Sequence, residues 1–572
     1  MAEPAIVNAL TVALAALLFG AVSLSAGVGL ENLRGSFRSR YGEGKEKANL
    51  PGFGDNRKNY LENRLELEYS LNLIESGLTV ESREPAEFGE DFTRLRKAYI
   101  QYAAESYLLR AGTLYGLVGQ GLTLNLFEDR TLDLDNTIRG FQGMLQLDRF
   151  RFQGQAGTGN YTDYREPLVI DRHVLAALNI EYEPADGVTL GLNALHDRLT
   201  NRKDHKSADH VELEADIPTW IGGAFLGLTA RQWEFFLEFS SKHTGYNRLS
   251  PQADDFYQLP IRMLSLERDV TGKGLYWSLG YSEKGYGFSL QYKNYQYNLA
   301  RDFGSMVSSA LDPASVLPYQ NPPTVIKEHI YFLLKRFPLT PDPNNEVGFE
   351  LEFNAQPTGS LALQASASVN SMADILLPVP GGRDSERHRG GFPLAPHLGT
   401  AYNPTYDSFI ELRWRKGQRF QLNGGAGFRK ITDYYVRGRY GDHTYIWTFP
   451  VEARLRWSRR FSTVLNLETQ HVRDKTFPLA LLGQTYWNNY IALSLSWAPV
   501  FSVTLSSEFT GEENELDKTQ CWPLLATSLR LRKWGTLDLS YGKQRAGMVC
   551  SNGLCRYVPG FKGLRAELSM FF

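Results

Sequence analysis

From just past residue 27 to the last residue, apolar and polar side chains alternate with a period of two. Trp447, Phe449, Val451, Ala453, Leu455 and Trp457 fall on one face of their segment, and Thr448, Glu452, Arg454 and Arg456 on the other. Ile410, Leu412 and Trp414 oppose Glu411, Arg413 and Arg415 in the same way. Ile491, Leu493, Leu495 and Trp497 oppose Ala492, Ser494 and Ser496, and Leu61, Leu65, Leu67, Tyr69 and Leu71 oppose Glu62, Arg64, Glu66 and Glu68. Successive side chains of a strand point to opposite faces, so this pattern specifies two-faced strands and is incompatible with a helical period of 3.6. Mean hydropathy is −0.33, and no internal run of 18 apolar residues exists to make a membrane helix.

The connections between these segments alternate between short and long. Pro357-Thr358-Gly359, Lys416-Gly417-Gln418, Ser458-Arg459-Arg460, Ala498-Pro499-Val500 and Lys533-Trp534-Gly535 are short. Glu183–Gly187 and Glu283-Lys284-Gly285 read as further short turns. The segments near 370–406, 429–446, 471–488, 510–523 and 542–562 are long, polar and rich in turn formers. A soluble sandwich has no reason to sort its loops by length. An antiparallel meander with tight turns at one end and long loops at the other is the pattern of an outer-membrane barrel.

Trp414, Phe420, Trp457, Phe461, Trp497, Phe501 and Trp534 all flank short turns. Amphipathic rings are favoured at a membrane–water boundary, so the row reads as a periplasmic aromatic girdle. The chain ends on an amphipathic strand in which Leu564, Ala566, Leu568, Met570 and Phe572 alternate with Arg565, Glu567, Ser569 and Phe571. This final strand, closing on Phe572, resembles the C-terminal assembly signal of Gram-negative outer-membrane barrel proteins. The segment 550–559 also resembles one found in uncharacterised large barrels. The resemblance implies an integral protein of the bacterial outer membrane, surrounded by lipid and handed to the barrel assembly machinery through its last strand. It implies no particular activity.

The reading is therefore all-β: a single transmembrane antiparallel up-and-down barrel of about 24 strands, within a range of 22 to 26. Parity decides the hardest stretch, 298–346. Treating 328–355 as one long, interrupted strand keeps the number even. Residues 5–26 form an apolar run ending in small residues, with Ser23-Leu24-Ser25 as a cut site, so 1–25 read as a signal peptide and 26–572 as the barrel. The first strand follows so soon that no N-terminal plug domain is expected, which argues against a TonB-dependent receptor.

A barrel this wide is not filled by its wall side chains. The segments 298–327 and 370–406 are long enough to fold inward, the latter with Gly381-Gly382-Arg383, His388 and Pro393. The inward faces carry both signs of charge. Glu350, Glu352, Glu452, Arg413, Arg415, Arg454, Arg456, Arg530 and Arg532 are the candidate lumen lining. Cross-strand charge ladders account for mixed signs and are the favoured reading. The arginines are the best candidates for an anion-attracting strip. At barrel closure, Arg565 and Glu567 should face Arg34, Arg38 and Arg40.

Cys550 and Cys555 bracket Asn552-Gly553, a turn-forming pair, and a disulfide is expected in an exported loop. Cys521 is the alternative partner. The histidines are scattered apart from Asp204-His205 and Asp209-His210, so no metal or other cofactor is expected. His205-Lys206-Ser207 lacks an accompanying acid, and no hydrolase or phosphate-loop motif occurs, so an enzyme is not expected. The net charge of −2 provides no basic excess for a nucleic acid. Two functions remain. One is an outer-membrane, porin-like channel for small solutes, passive or loop-gated. The other is a sheath or anchor holding a protein in its lumen, such as a secretion component, a surface lipoprotein or a cytochrome.

Overall fold

The structure, a computed structural model, describes residues 32–46, 56–89, 91–163, 166–204, 211–245, 248–249, 269–297, 317–339, 341–378, 385–388, 391–432, 443–474, 484–512, 520–551 and 554–572. The leader at 1–25, the Asp209-His210 pair, His205, Ser207 and Gly381–Arg383 lie outside the described residues.

Twenty-four antiparallel strands form the wall among the described residues. They are β1 (Leu33–Glu46), β2 (Asn56–Leu71), β3 (Ile74–Arg83), β4 (Phe92–Ala103), β5 (Tyr107–Leu114) and β6 (Ile138–Leu147). Next come β7 (Phe150–Asp163), β8 (Glu166–Ala185), β9 (Val188–Asp204), β10 (Val211–Ala230), β11 (Trp233–Gly245) and β12 (Asp269–Glu283). Then follow β13 (Tyr286–Gln296), β14 (Glu346–Thr358), β15 (Leu361–Ser371), β16 (Thr405–Lys416), β17 (Phe420–Thr432) and β18 (His443–Arg456). The last six are β19 (Phe461–Asp474), β20 (Gln484–Trp497), β21 (Phe501–Thr510), β22 (Cys521–Leu531), β23 (Gly535–Gln544) and β24 (Phe561–Phe571). Each pairs with its sequence neighbours, and β1 pairs with β24, so the sheet closes and no edge is left. This is the architecture of the outer-membrane barrels that the sequence resembles.

Turns of two to four residues join β2 to β3, β4 to β5 and so on to β22 and β23, all at one end. The start of β1 and the end of β24 lie there too. The opposite end carries the longer connections, with one departure: β7 and β8 are separated only by residues 164–165. Those two strands continue outward to Asp163 and from Glu166. At 14 and 20 residues they raise one side of the wall, together with the 17 residues of β9 and 20 of β10.

The alternation decides which face meets what. Large apolar side chains cover the outside, with Phe141 74%, Leu192 65% and Leu505 60% exposed. Their inward neighbours are polar and mostly buried, such as Glu411, Thr448 and Gln470. Such an inverted surface is stable only against hydrocarbon.

One expectation is corrected. Residues 328–345 are not the outer part of a strand. β14 begins at Glu346, and the chain before it lies inside the barrel, with a 3₁₀ turn at Leu333–Lys335. The even strand number survives because this stretch never belonged to the wall.

Candidate functional site

The lumen is occupied at its long-loop half by the barrel's own connections. The first of these, residues 115–137 between β5 and β6, folds into two small hairpins, 116–118 with 124–126 and 128–129 with 134–135. Its tip turns at Gly119 and Gly121, with φ of +56° and +88°. A Cβ on Gly119 would sit 2.5 Å from the Glu238 carboxylate, and one on Gly121 would sit 2.7 Å from the Asn321 carbonyl oxygen. Only glycine permits both the backbone conformation and the approach. The Gln120 amide then donates to Glu238 Oε2 at 2.5 Å, tying the tip to β11.

The base of this insert is held by charge to the wall beside its own root, strands β2 to β4. Arg64 of β2 donates through both Nη atoms to Glu128, at 2.7 and 3.1 Å. Lys97 of β4 donates to the same carboxylate at 2.8 Å. Arg83 of β3 clasps Asp133, and Arg96 lies 3.2 Å from Asp135. Burial alone would raise the Glu128 carboxyl, but the Arg64 and Lys97 hydrogen bonds outweigh it and hold it at about 2. In these pairs the acids belong to the insert and the bases to the wall, and Arg130 of the insert reverses the pattern on Glu66 of β2. A cavity of about 320 Å³ remains between them, lined among others by Arg40, Arg83, Arg96, Asp133 and Asp135.

The second insert, residues 317–339 between β13 and β14, meets the first. Asn125 N donates to Tyr319 O at 2.6 Å, Gln320 Nε2 to Leu122 O at 2.6 Å, and Asn136 Nδ2 to Pro318 O at 3.1 Å. Leu317 and Tyr319 share an apolar cluster with Val118, Leu124 and Leu126 of the first insert and Leu175, Leu195 and Ile221 of the wall. The chain then follows the inner wall as a strap. Lys327 pairs with Glu352 at 2.6 Å and His329 Nε2 with Asp407 at 2.9 Å. Asp407 also accepts from Arg429 at 3.0 Å, and Arg429 donates to the Leu334 carbonyl at 3.0 Å. The Phe332 and Leu333 amides donate to Glu468 at 2.9 and 2.7 Å, and Arg336 pairs with Glu508. Five wall strands from β14 to β21 therefore hold one strap. A third connection joins them where Tyr292 Oη and Asn294 Nδ2 donate to Pro393 O, at 2.7 and 2.8 Å.

Below this layer the lumen faces the short-turn end. Arg415, Arg454, Arg456 and Arg530 are exposed there on inward-facing positions, and Arg532 sits in the 532–534 turn with φ of +54°. Arg413 is ion-paired with Glu411, while Glu452 accepts from Asn423 at 3.1 Å and lies 3.7 Å from Arg454. Glu350 and Glu352 instead lie higher, against the second insert. The structure thus divides the nine candidate lining residues between a ladder, a short-turn mouth and the plugged layer. At the seam Arg38 Nε donates to Glu567 at 2.7 Å, and Arg565 lies 3.3 Å from Glu87. Trp414, Trp457, Trp497, Phe501 and Trp534 are exposed beside the short turns, with Phe420 and Phe461 half-buried against Trp414 and Trp497. Cys550 is disulfide-bonded and stands opposite Cys555 in the hairpin of 547–551 and 554–558, while Cys521 is free. Among the described residues no group of three or more His, Cys, Asp or Glu is placed to hold a metal.

The 115–137 insert escapes the sequence reading, although a signal for it exists. Leu117, Val118, Leu122, Leu124 and Leu126 are too apolar for a solvated loop. An apolar connection in a barrel whose outside is already occupied has only the lumen in which to bury itself.

The family described as "Family of unknown function (DUF6029)" matches residues 7–364 and 429–572. The chain belongs to this family. Both lumen inserts of this DUF6029 member fall within the matched residues. No curated protein matches it in sequence. Among solved structures it is similar to the FrpB iron transporter from Neisseria meningitidis (F5-1 variant), with 10% identity and a TM-score of 0.43, covering 95% of this chain and 83% of that one. It is also similar to the siderophore receptor PirA from Pseudomonas aeruginosa, with 9% identity, a TM-score of 0.44 and coverage of 95% and 80%. The likeness to OccAB1 from Acinetobacter baumannii has 11% identity, a TM-score of 0.36 and coverage of 73% and 95%. The fold assignment rests on the chain's own strand pairing and closure.

Proposed function

We propose that this protein is an integral outer-membrane barrel that passes small solutes, with a conduit gated by its own inserts. One observation carries the reading: residues 115–137 and 317–339 meet inside the lumen over a shared apolar cluster, and polar contacts hold the base of the first and the strap of the second to the wall. Hydrogen bonds and ion pairs around water-accessible cavities can be exchanged for water, unlike a dry apolar core. The same inserts occupy the space that a sheathed partner protein would need, which favours a channel over a sheath. The exposed arginines at the short-turn mouth, Arg415, Arg454, Arg456 and Arg530, are assigned to attract anions at that entrance. Membrane lipid contacts the apolar exterior, and the assembly machinery engages the strand ending at Phe572.

Planar-bilayer recording of the purified protein tests the proposal. Small ohmic steps in wild type, enlarged when residues 122–135 are replaced by a short Gly-Ser linker, are expected. A deletion variant that folds but conducts no better than a blank bilayer overturns it. Co-purification of a stoichiometric protein with a non-conducting barrel would favour the sheath.

A further inference from the structure

Between the two inserts and the β13–β14 wall lies a cavity of about 570 Å³. Its titratable lining is Lys327, Glu328, Glu350 and Glu352, an excess of negative charge, supplemented by Gln120 and Asn321. The Lys327 ammonium already sits on Glu352 at 2.6 Å. Glu350 is different. It lies two positions away on the same inward face, is only 4% exposed, and its Oε1 has no hydrogen-bond partner among the described residues. Its cross-strand neighbour Ser368 also has a buried hydroxyl without a partner. A buried carboxylate oxygen without a donor is costly, and a bound cation removes that cost. The metal-ligating geometry is missing from the described residues, whereas the volume suits a small organic molecule.

We infer that this cavity is a binding site for small organic cations, with Glu350 receiving an ammonium group as Glu352 receives that of Lys327. The remainder of the ligand lies against the lining contributed by Gln120, Asn321 and Glu328. The inference deepens the transport reading by naming the solute class of the inner cavity, whose acids select opposite charge to the arginines of the short-turn mouth. It rests on that reading only for its place on a solute path.

Equilibrium dialysis of the full chain in detergent against radiolabelled 1,4-diaminobutane tests it, with succinate as the probe of reversed charge. Saturable binding of the diamine and none of succinate is expected. Glu350→Gln should weaken binding at least about tenfold, the scale of one charge-assisted pairing. Equal affinity in E350Q, or equal binding of succinate, overturns the site, as does no binding to wild type. If E350Q does not fold, judged by heat-modifiable gel mobility, Lys327→Met carries the test. Removing the internal ammonium should tighten diamine binding, and an unchanged affinity overturns the assignment. Binding is read here without a membrane and conductance without the diamine, so the site and the channel fail separately.

Discussion

Gly35 and Phe572 exchange both backbone hydrogen bonds across the barrel seam, N to O at 2.8 Å and 3.0 Å. The Phe572 ring covers Gly35 so closely that a Cβ there would lie 2.2 Å from it. The last residue therefore seals the first strand, and the missing side chain of Gly35 makes room for the seal. Gly35→Val should displace the ring, and deletion of Phe572 should remove both bonds, costing about 1–3 kcal/mol. The folded fraction on unheated gels should fall in each variant, whereas Ser569→Ala should leave it unchanged.

The Glu128 anchor makes the first insert acid-sensitive. Its carboxyl is held at about 2 in the folded protein against an ordinary 4.5. A depressed acid stabilises fully above the unfolded value, so the contribution, up to about 3 kcal/mol, drains away as pH falls from about 4.5 towards 2. The protection factors of amides 124–136, measured against intrinsic exchange at each pH, should fall across that window. In Glu128→Gln they should be low already at pH 7 and change little on acidification.

Asp407 holds the strap from two sides, through His329 at 2.9 Å and Arg429 at 3.0 Å. Asp407→Ala leaves Arg429 buried without its counter-charge, at a cost of about 3–5 kcal/mol. Exchange at residues 329–337 and open-channel conductance should both rise. The double variant Asp407→Leu with Arg429→Met removes both charges together and should be milder than the single change.

Neighbouring residues of β16 should respond oppositely to charge. Leu412 is 48% exposed on the apolar outside, whereas Arg413 faces the lumen. Leu412→Arg places a cation against hydrocarbon and should destabilise by about 2–4 kcal/mol near the bilayer centre. Arg413→Gln, which keeps an amide donor beside the buried Glu411, should cost less than Leu412→Arg. Urea titration in lipid vesicles distinguishes the two.

Wall strands are legible because their signal is local. In Ile410, Leu412 and Trp414 against Glu411, Arg413 and Arg415, each residue reports its own face, and one environment lies on each side of the sheet. The stretch 328–345 misleads for the same reason. Its apolar residues, Tyr331, Leu333 and Leu334, look like wall, yet they pack against Phe409 and the inner face. Periodicity reports that a segment is amphipathic. It does not report which of two interiors receives it.

The amino-acid order alone determines a closed, even-numbered antiparallel barrel with its tight turns at one end, because alternation, turn chemistry and parity are properties of neighbours along the chain. Only the tertiary structure decides what fills the lumen. Arg64 with Glu128, Asn125 with Tyr319, and His329 with Asp407 join residues 64, 194 and 78 positions apart. Such pairings depend on where the inserts come to rest inside the closed wall, and no local pattern encodes that distance.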